Sequence, residues 1–202
     1  TAGDHFVQRK QNDNKKVAVI GAGPSGLSCA WFLAVNGISV EIFEKKKEAG
    51  GMVSSGIPSF RLPDRIINLD LETLMAAGVE IHYDTTVFQK QFDEILSEYD
   101  AVYLAAGAQL NKKLGISGED LTGVLEPLDF LGKVKEGIHL NIGKRIAVIG
   151  GGNTALDAAR TALRLAGEEA VVNILYRRTK NEMPADHIEI LDAVHEGVVI
   201  RE

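Results

Sequence analysis

The chain has 202 residues, 45% of them hydrophobic and 25% charged, which excludes a disordered or fibrous protein and leaves room for one good-sized core or two small ones. Lys plus Arg number 22 against 28 Asp plus Glu, a net charge of −6, and with no basic stripe this argues against nucleic acid as a partner. No apolar run approaches the ~20 residues that cross a bilayer, and the polar N-terminus lacks the hydrophobic centre of a secretory signal, so no membrane partner is expected. Cys29 is the single cysteine, which excludes an internal disulfide, a dithiol redox centre and a thiolate cluster. The histidines are scattered with no His-x-x-x-His pair, so no metal site is expected. This composition predicts a reducing, cytoplasmic setting.

Residues 1–14 read as a polar lead or linker. KKVAVI, Lys15 to Ile20, is a β-branched run bounded by glycine and predicts a strand buried on both faces. GAGPSG follows, then LSCAWFLAVNG, a helical run closed by Asn36 and Gly37. Leu27, Ala30, Trp31 and Ala34 fall at helical spacing, with Cys29, Phe32 and Leu33 on the flank, so this helix is expected to be sandwiched. SVEIF, residues 39–43, completes a β-α-β unit of about thirty residues. EAGGMVSSGIPSFRLP, Glu48 to Pro63, reads as a long functional loop. A helix is expected over 64–77 with Ile67, Leu71, Leu74 and Met75 inward, then a small sheet from VEIHY and TTV. DAVYLAAGA, Asp100 to Ala108, predicts another buried strand entering a glycine turn. Residues 109–143 read as a connection with one short helix near Glu126 to Lys135.

The opening phrase then recurs. KRIAVIGGGNTALDAARTALRLAG, Lys144 to Gly167, repeats strand, glycine turn and helix about 130 positions on, and VVNILY supplies the next strand. Repetition of this period points to two nucleotide folds rather than a solenoid. The expected fold class is therefore α/β, with two Rossmann-like parallel-sheet units: a first domain over 15–125 and a second over 126–202. The last residues hold one more helix and the start of a strand, which predicts a second unit cut short.

A pyrophosphate sits well at a helix N-terminus, where unpaired N–H groups and the helix dipole point at it. In a G-x-G-x-x-G turn the first glycine makes the turn, the second lets the backbone approach the phosphates, and the third lets helix and strand pack closely. Gly21, Gly23 and Gly26 take these places in the first unit, with Pro24 and Ser25 between them. Gly150, Gly152 and Ala155 take them in the second. Each turn follows a predicted strand and opens a predicted helix, which is the context that gives the motif meaning.

The end of the second strand separates the two sites. In SVEIFEKKK, Glu44 stands where a carboxylate accepts hydrogen bonds from an adenosine ribose, with Lys45 beside it. The acid favours free ribose hydroxyls, as in NAD or FAD, over a 2′-phosphate. NILYRRTK instead carries Arg177 and Arg178, whose planar forks match phosphate oxygens. Charge-assisted hydrogen bonds of roughly 1.5–3 kcal/mol each would favour NADPH over NADH by about 10- to 150-fold per productive contact.

With both turns, Glu44, GGMVSSGIPSFRLP and YRRTKNEMPA in view, the chain from Lys16 onward resembles the NADPH-oxidising flavoprotein module of the glutamate synthase small subunit. Dihydropyrimidine dehydrogenase and related oxidoreductases share that module. The resemblance implies FAD on the first unit, contacted by Gly21, Gly23, Gly26, Glu44, Gly51 and Arg61. Val87 and the Ala105-Ala106-Gly107 turn would line that site, and Met52 and Leu62 would help shape it. It implies NADPH on the second unit, held by Gly152, Asn153, Thr154, Arg177 and Arg178. Hydride would pass from NADPH to the flavin, and electrons on to an iron–sulfur domain or a large catalytic subunit. Cofactors carry such chemistry, so no catalytic side chain is named, and Cys29 reads as a buried, inert thiol. The family returns to its flavin domain after the NADPH insert with a further glycine-rich segment, which does not occur here before Glu202. That implies a fragment, and the alternative reading is a piece that binds FAD or NADPH without turnover.

Overall fold

The computed structural model describes residues 14–108 and 113–202; the predicted polar lead, apart from Asn14, lies outside them. Among the described residues there are two compact units, 14–55 with 59–108, and 56–58 with 113–202. Residues 113–125 therefore group with the second unit rather than the first, as do 56–58, where Lys135 Nζ donates to the Ile57 carbonyl at 3.0 Å. No shift in composition marks either handover, and the expected division stands at 125–126.

In chain order the first unit contains β1 Lys16–Ile20, α1 Pro24–Val35, β2 Ser39–Phe43 and α2 Met52–Ser55. It continues with α3 Asp64–Ala76, β3 Val79–His82, α4 Gln89–Glu98 and β4 Ala101–Leu104. The sheet runs β3-β2-β1-β4 with all pairs parallel, in register Val17↔Val40 and Val17↔Ala101. β1 is central and its apolar run is buried through Val17, Ala18 and Val19, as a doubly covered parallel strand requires. Its core continues through Val40 and Ile42 to Ala30 and Ala34 of α1. Small residues, Gly26, Ala30 and Ala34, form the buried stripe of α1, and Gly37 at φ +88° lets the chain turn after it.

Several expectations change here. α1 is not sandwiched, since Phe32 is 63% exposed; its apolar residues outnumber the positions that face the sheet. β4 is an edge strand among the described residues, and Tyr103 and Leu104 are exposed rather than buried. VEIH joins the main sheet as β3, whereas Thr85–Val87 forms no strand. The long loop contains the one-turn helix α2, and both Ser54 and Ser55 hydroxyls donate to the Gly51 carbonyl. α4 is a helix that the expected elements omit, although Phe92, Ile95 and Leu96 fall at helical spacing, with Phe92 and Ile95 turned inward.

The second unit contains α5 Pro127–Lys135, β5 Arg145–Ile149, α6 Asn153–Ala166 and β6 Val171–Leu175. A 3-10 turn, Lys180–Glu182, then leads to α7 His187–His195 and β7 Val199–Arg201. The strands run β5-β6-β7, all parallel. α6 is buried from Ala155 to Ala162, meeting Phe130 and Leu131 of α5 on one side and Val172, Ile174, Ile190 and Ala193 on the other. Among the described residues no helix is long and apolar enough to cross a membrane.

α6 and α7 are also joined by charge. Arg160, 6% exposed, donates to Glu196 at 2.7 Å and also meets Glu189 and Asp192, while Arg164 donates to the same Glu196 carboxylate. The Arg164 hydrogen bond, reinforced by Arg160, holds the Glu196 carboxyl at about 2 against an ordinary 4.5, outweighing its partial burial. A carboxyl depressed on folding stabilises fully above its unfolded value and loses that contribution as the pH falls through its folded value. Glu196→Gln should therefore lower stability at neutral pH and flatten the acid limb between about pH 4.5 and 2 in urea titrations. An unchanged limb would remove Glu196 from the acid response. Arg160→Ala leaves Glu189 and Asp192 without this cation while Glu196 keeps Arg164, and should cost about 1–3 kcal/mol at pH 7 in urea titrations.

Candidate functional site

β1 pairs with β2 on one side and β4 on the other. A crevice at such a switch point, beyond the carboxyl ends of the strands, is where open parallel sheets take ligands. A cavity of about 420 Å³ lies there. Gly21, Gly23, Pro24 and Ser25 line it from the turn into α1. Glu44 and Lys45 line it after β2, Gly51 and Met52 at the start of α2, and Val87 before α4. Ala105, Ala106 and Gly107 line it after β4.

The three glycines of the turn do different things. Gly21 has φ +105°, and a Cβ there would lie 2.3 Å from the Ala105 carbonyl oxygen, so the turns after β1 and β4 are in direct contact. A Cβ on Gly26 would lie 2.0 Å from the Gly21 carbonyl oxygen, so α1 can approach β1 only without one. Gly23 is extended, at φ −77° and ψ 177°, and its missing Cβ would meet nothing nearer than the Gly51 Cα at 4.0 Å. That space opens on the cavity, where a phosphate can approach the backbone. No side chain caps α1, so its first-turn N–H groups are left for an anion.

Glu44 is 6% exposed and belongs to this architecture rather than to a solvated surface. Its Oε2 accepts from the Ala22 N–H at 2.7 Å and its Oε1 from the Lys46 N–H at 2.8 Å. An ionised carboxylate offers about four acceptor positions, so these two amides leave it capacity for ribose hydroxyls.

Three of the first-unit candidates lie elsewhere. Gly26 sits beneath the turn, and Arg61 is half-buried outside the cavity. Leu62 lines a separate apolar cavity of about 270 Å³ with Leu27, Val53, Ile66, Leu71 and Leu74. The residue pattern missed Ile20, Phe43 and Leu104, together with Lys46, Thr85 and Thr86, all of which line the larger cavity. The first three are register partners at the strand ends, Ile20↔Phe43 and Ile20↔Leu104. Taking the last residue of each predicted strand would have found them.

In the second unit Gly150 has φ +141° and its N–H donates to the Leu175 carbonyl at 3.1 Å. A Cβ on Gly150 would meet the Ala155 Cβ at 3.4 Å, ordinary contact, whereas the third place of the first turn has no room for one. Gly152 is extended and open, with nothing within 4 Å of an added Cβ. Asn153 and Thr154 are exposed at the start of α6, and Asn153 Oδ1 accepts from the Asp186 N–H at 2.9 Å. Arg177 and Arg178 are exposed just beyond β6. Among the described residues Glu41, Glu80 and His82 bring potential metal ligands within 4.8 Å of one another. Glu41 is already bonded there to Lys16 Nζ and His82 Nε2, each at 2.7 Å.

The sequence matches the pyridine nucleotide-disulphide oxidoreductase family over residues 15–201. It is 43% identical over 198 residues to the NADPH-Fe(3+) oxidoreductase subunit beta of Geobacter sulfurreducens, covering 95% of this chain and 29% of that one. It is 37% identical over 196 residues to the glutamate synthase (NADPH) small chain of Escherichia coli K12, covering 91% and 41% respectively. The structure of Mycobacterium tuberculosis FprA in complex with NADPH matches with a TM-score of 0.75 and 25% identity, over 91% of this chain and 48% of that one. The chain thus spans less than half the length of these relatives.

The glycine geometry separates packing from binding. Gly23→Ala should leave thermal stability within about 0.5 kcal/mol of the parent. Gly26→Ala should cost about 1–3 kcal/mol through overlap with the Gly21 carbonyl. Equal losses in thermal melts would mean that Gly23 packs as tightly as Gly26.

Proposed function

The chain belongs to the pyridine nucleotide-disulphide oxidoreductase family, and from that we propose that it is an FAD-dependent oxidoreductase module that takes hydride from NADPH. FAD occupies the cavity of the first unit and NADPH the glycine turn of the second. The observation that carries this reading is the opposite charge at two otherwise similar turns, a buried carboxylate in one and paired exposed arginines in the other.

The open Gly23 position fits a pyrophosphate, because a side chain there would fill the cradle. Glu44 accepts from ribose hydroxyls and repels a 2′-phosphate. Gly152 gives a second backbone approach, and Arg177 and Arg178 hold the 2′-phosphate that distinguishes NADPH from NADH. When bound, the two groups supply the hydride donor and acceptor, and the flavin can release electrons singly. The chain's own residues bind and orient, and none is assigned a proton. Electrons pass on to an iron–sulfur domain or a large catalytic subunit. Support for such a partner comes from the names of the relatives, a "subunit beta" and a "small chain".

The test uses the full-length protein. Its visible spectrum should show bound flavin, and anaerobic NADPH should bleach it; flavin that stays bound and oxidised would reduce the chain to a nucleotide-binding piece. Arg177→Ala with Arg178→Ala should weaken NADPH about tenfold or more while changing NADH less than about twofold. Equal losses for both nucleotides would remove the arginines from the 2′-phosphate.

A further inference from the structure

The span between β6 and α7 leaves the sheet and returns to the second glycine turn. At its start, the Tyr176 ring lies so close to Gly151 that a Cβ on that glycine would come within 2.6 Å of ring carbons Cδ2 and Cε2. The Tyr176 N–H donates to the Arg201 carbonyl at 2.9 Å, which fixes the same residue to β7. At the far end, the Ala185 N–H donates to the Gly151 carbonyl at 3.1 Å and the Asp186 N–H to Asn153 Oδ1 at 2.9 Å. Both ends are thus fastened to the turn that opens α6.

Internal bonds hold the span in shape between these anchors. Glu182 Oε2 accepts from the Thr179 N–H at 3.2 Å and from the Thr179 hydroxyl at 2.9 Å, a capping box around the 3-10 turn. The Tyr176 hydroxyl donates to the Glu182 carbonyl at 3.0 Å. Met183 and Ala185 are buried in the core beneath. Arg177 and Arg178 are exposed in the first half of this span, between Tyr176 and Thr179.

We propose that residues 176–186 form a fixed strap on the second glycine turn, and that Tyr176 and Thr179 are positioning residues for recognition of the nucleotide 2′-phosphate. The proposal rests on the assignment of Arg177 and Arg178 to that phosphate. Two long side chains that close on an anion lose rotamer freedom, and a loose backbone beneath them would add its own ordering cost. The strap removes the second cost before the ligand arrives. NADH carries no 2′-phosphate, so its affinity does not depend on how the arginines are presented. A nucleotide without the phosphate therefore serves as an internal control for folding and for the rest of the site.

Calorimetric titration of the full-length protein with NADP+ and NAD+ tests this without relying on turnover. Tyr176→Phe keeps the ring against Gly151 and removes the hydroxyl bond to Glu182; Thr179→Val removes a second bond and leaves the charge unaltered. Each should weaken NADP+ by about 3- to 10-fold, the order of one hydrogen bond, with NAD+ within about twofold of the parent. Unchanged NADP+ affinity overturns the proposal, and so does an equal loss for both nucleotides, which would make the strap structural only. The Arg177→Ala, Arg178→Ala double variant is measured alongside. If it keeps the preference for NADP+, the arginine assignment fails and the strap proposal falls with it. If it abolishes the preference while the Tyr176 and Thr179 variants retain it, only the strap proposal fails.

Discussion

The contact between α1 and the turn beneath it sets the geometry of the first unit. With 2.0 Å between a hypothetical Gly26 Cβ and the Gly21 oxygen, any side chain at Gly26 would force the helix away from β1. Gly21 in turn lies against the Ala105 carbonyl, so the β1 and β4 turns pack as one surface. Glu44 adds a polar tie, its carboxylate bonded to the Ala22 amide between them. A cavity wall made of backbone in contact with backbone has little freedom to rearrange, which suits a site that must present amide groups at a set spacing.

The second unit reaches a similar turn by another route. Even a Cβ added at Gly150 would meet only the Ala155 Cβ, at 3.4 Å, so this turn is packed less closely than the first. Bonds from a distant segment take up the role, with Ala185 and Asp186 donating to Gly151 and Asn153. That segment continues into α7, which Arg160 fastens to α6 through three carboxylates. Turn, following helix and returning helix are thereby joined in a closed circuit of hydrogen bonds.

Much of this was legible in the sequence because it rests on local pattern. The β-branched runs, the glycine spacing and the residue after each second strand mark β1, β2, β5, β6 and both turns without reference to distant residues. What stayed hidden depends on neighbours across the fold. Phe32 and Leu104 are apolar, and apolar character alone does not tell which of them meets a partner. Phe43 and Leu104 enter the cavity wall as strand-end partners of Ile20, a position that strand ends in the sequence suggest and only the register fixes. The amide bonds of Glu44 need the turn's shape, and the contact of Tyr176 with Gly151 joins positions 25 apart in the chain.

Arg177 and Arg178 project from an exposed stretch, whereas the glycine turn they accompany is built into the core of α6 and its sheet. The charged groups and the backbone that carries them are therefore set by different residues. If the two arginines hold the 2′-phosphate as proposed, a few surface substitutions would retarget the unit from a phosphorylated to an unphosphorylated dinucleotide without disturbing any buried residue. In such a fold, metabolic allegiance can drift between related proteins while the backbone stays the same.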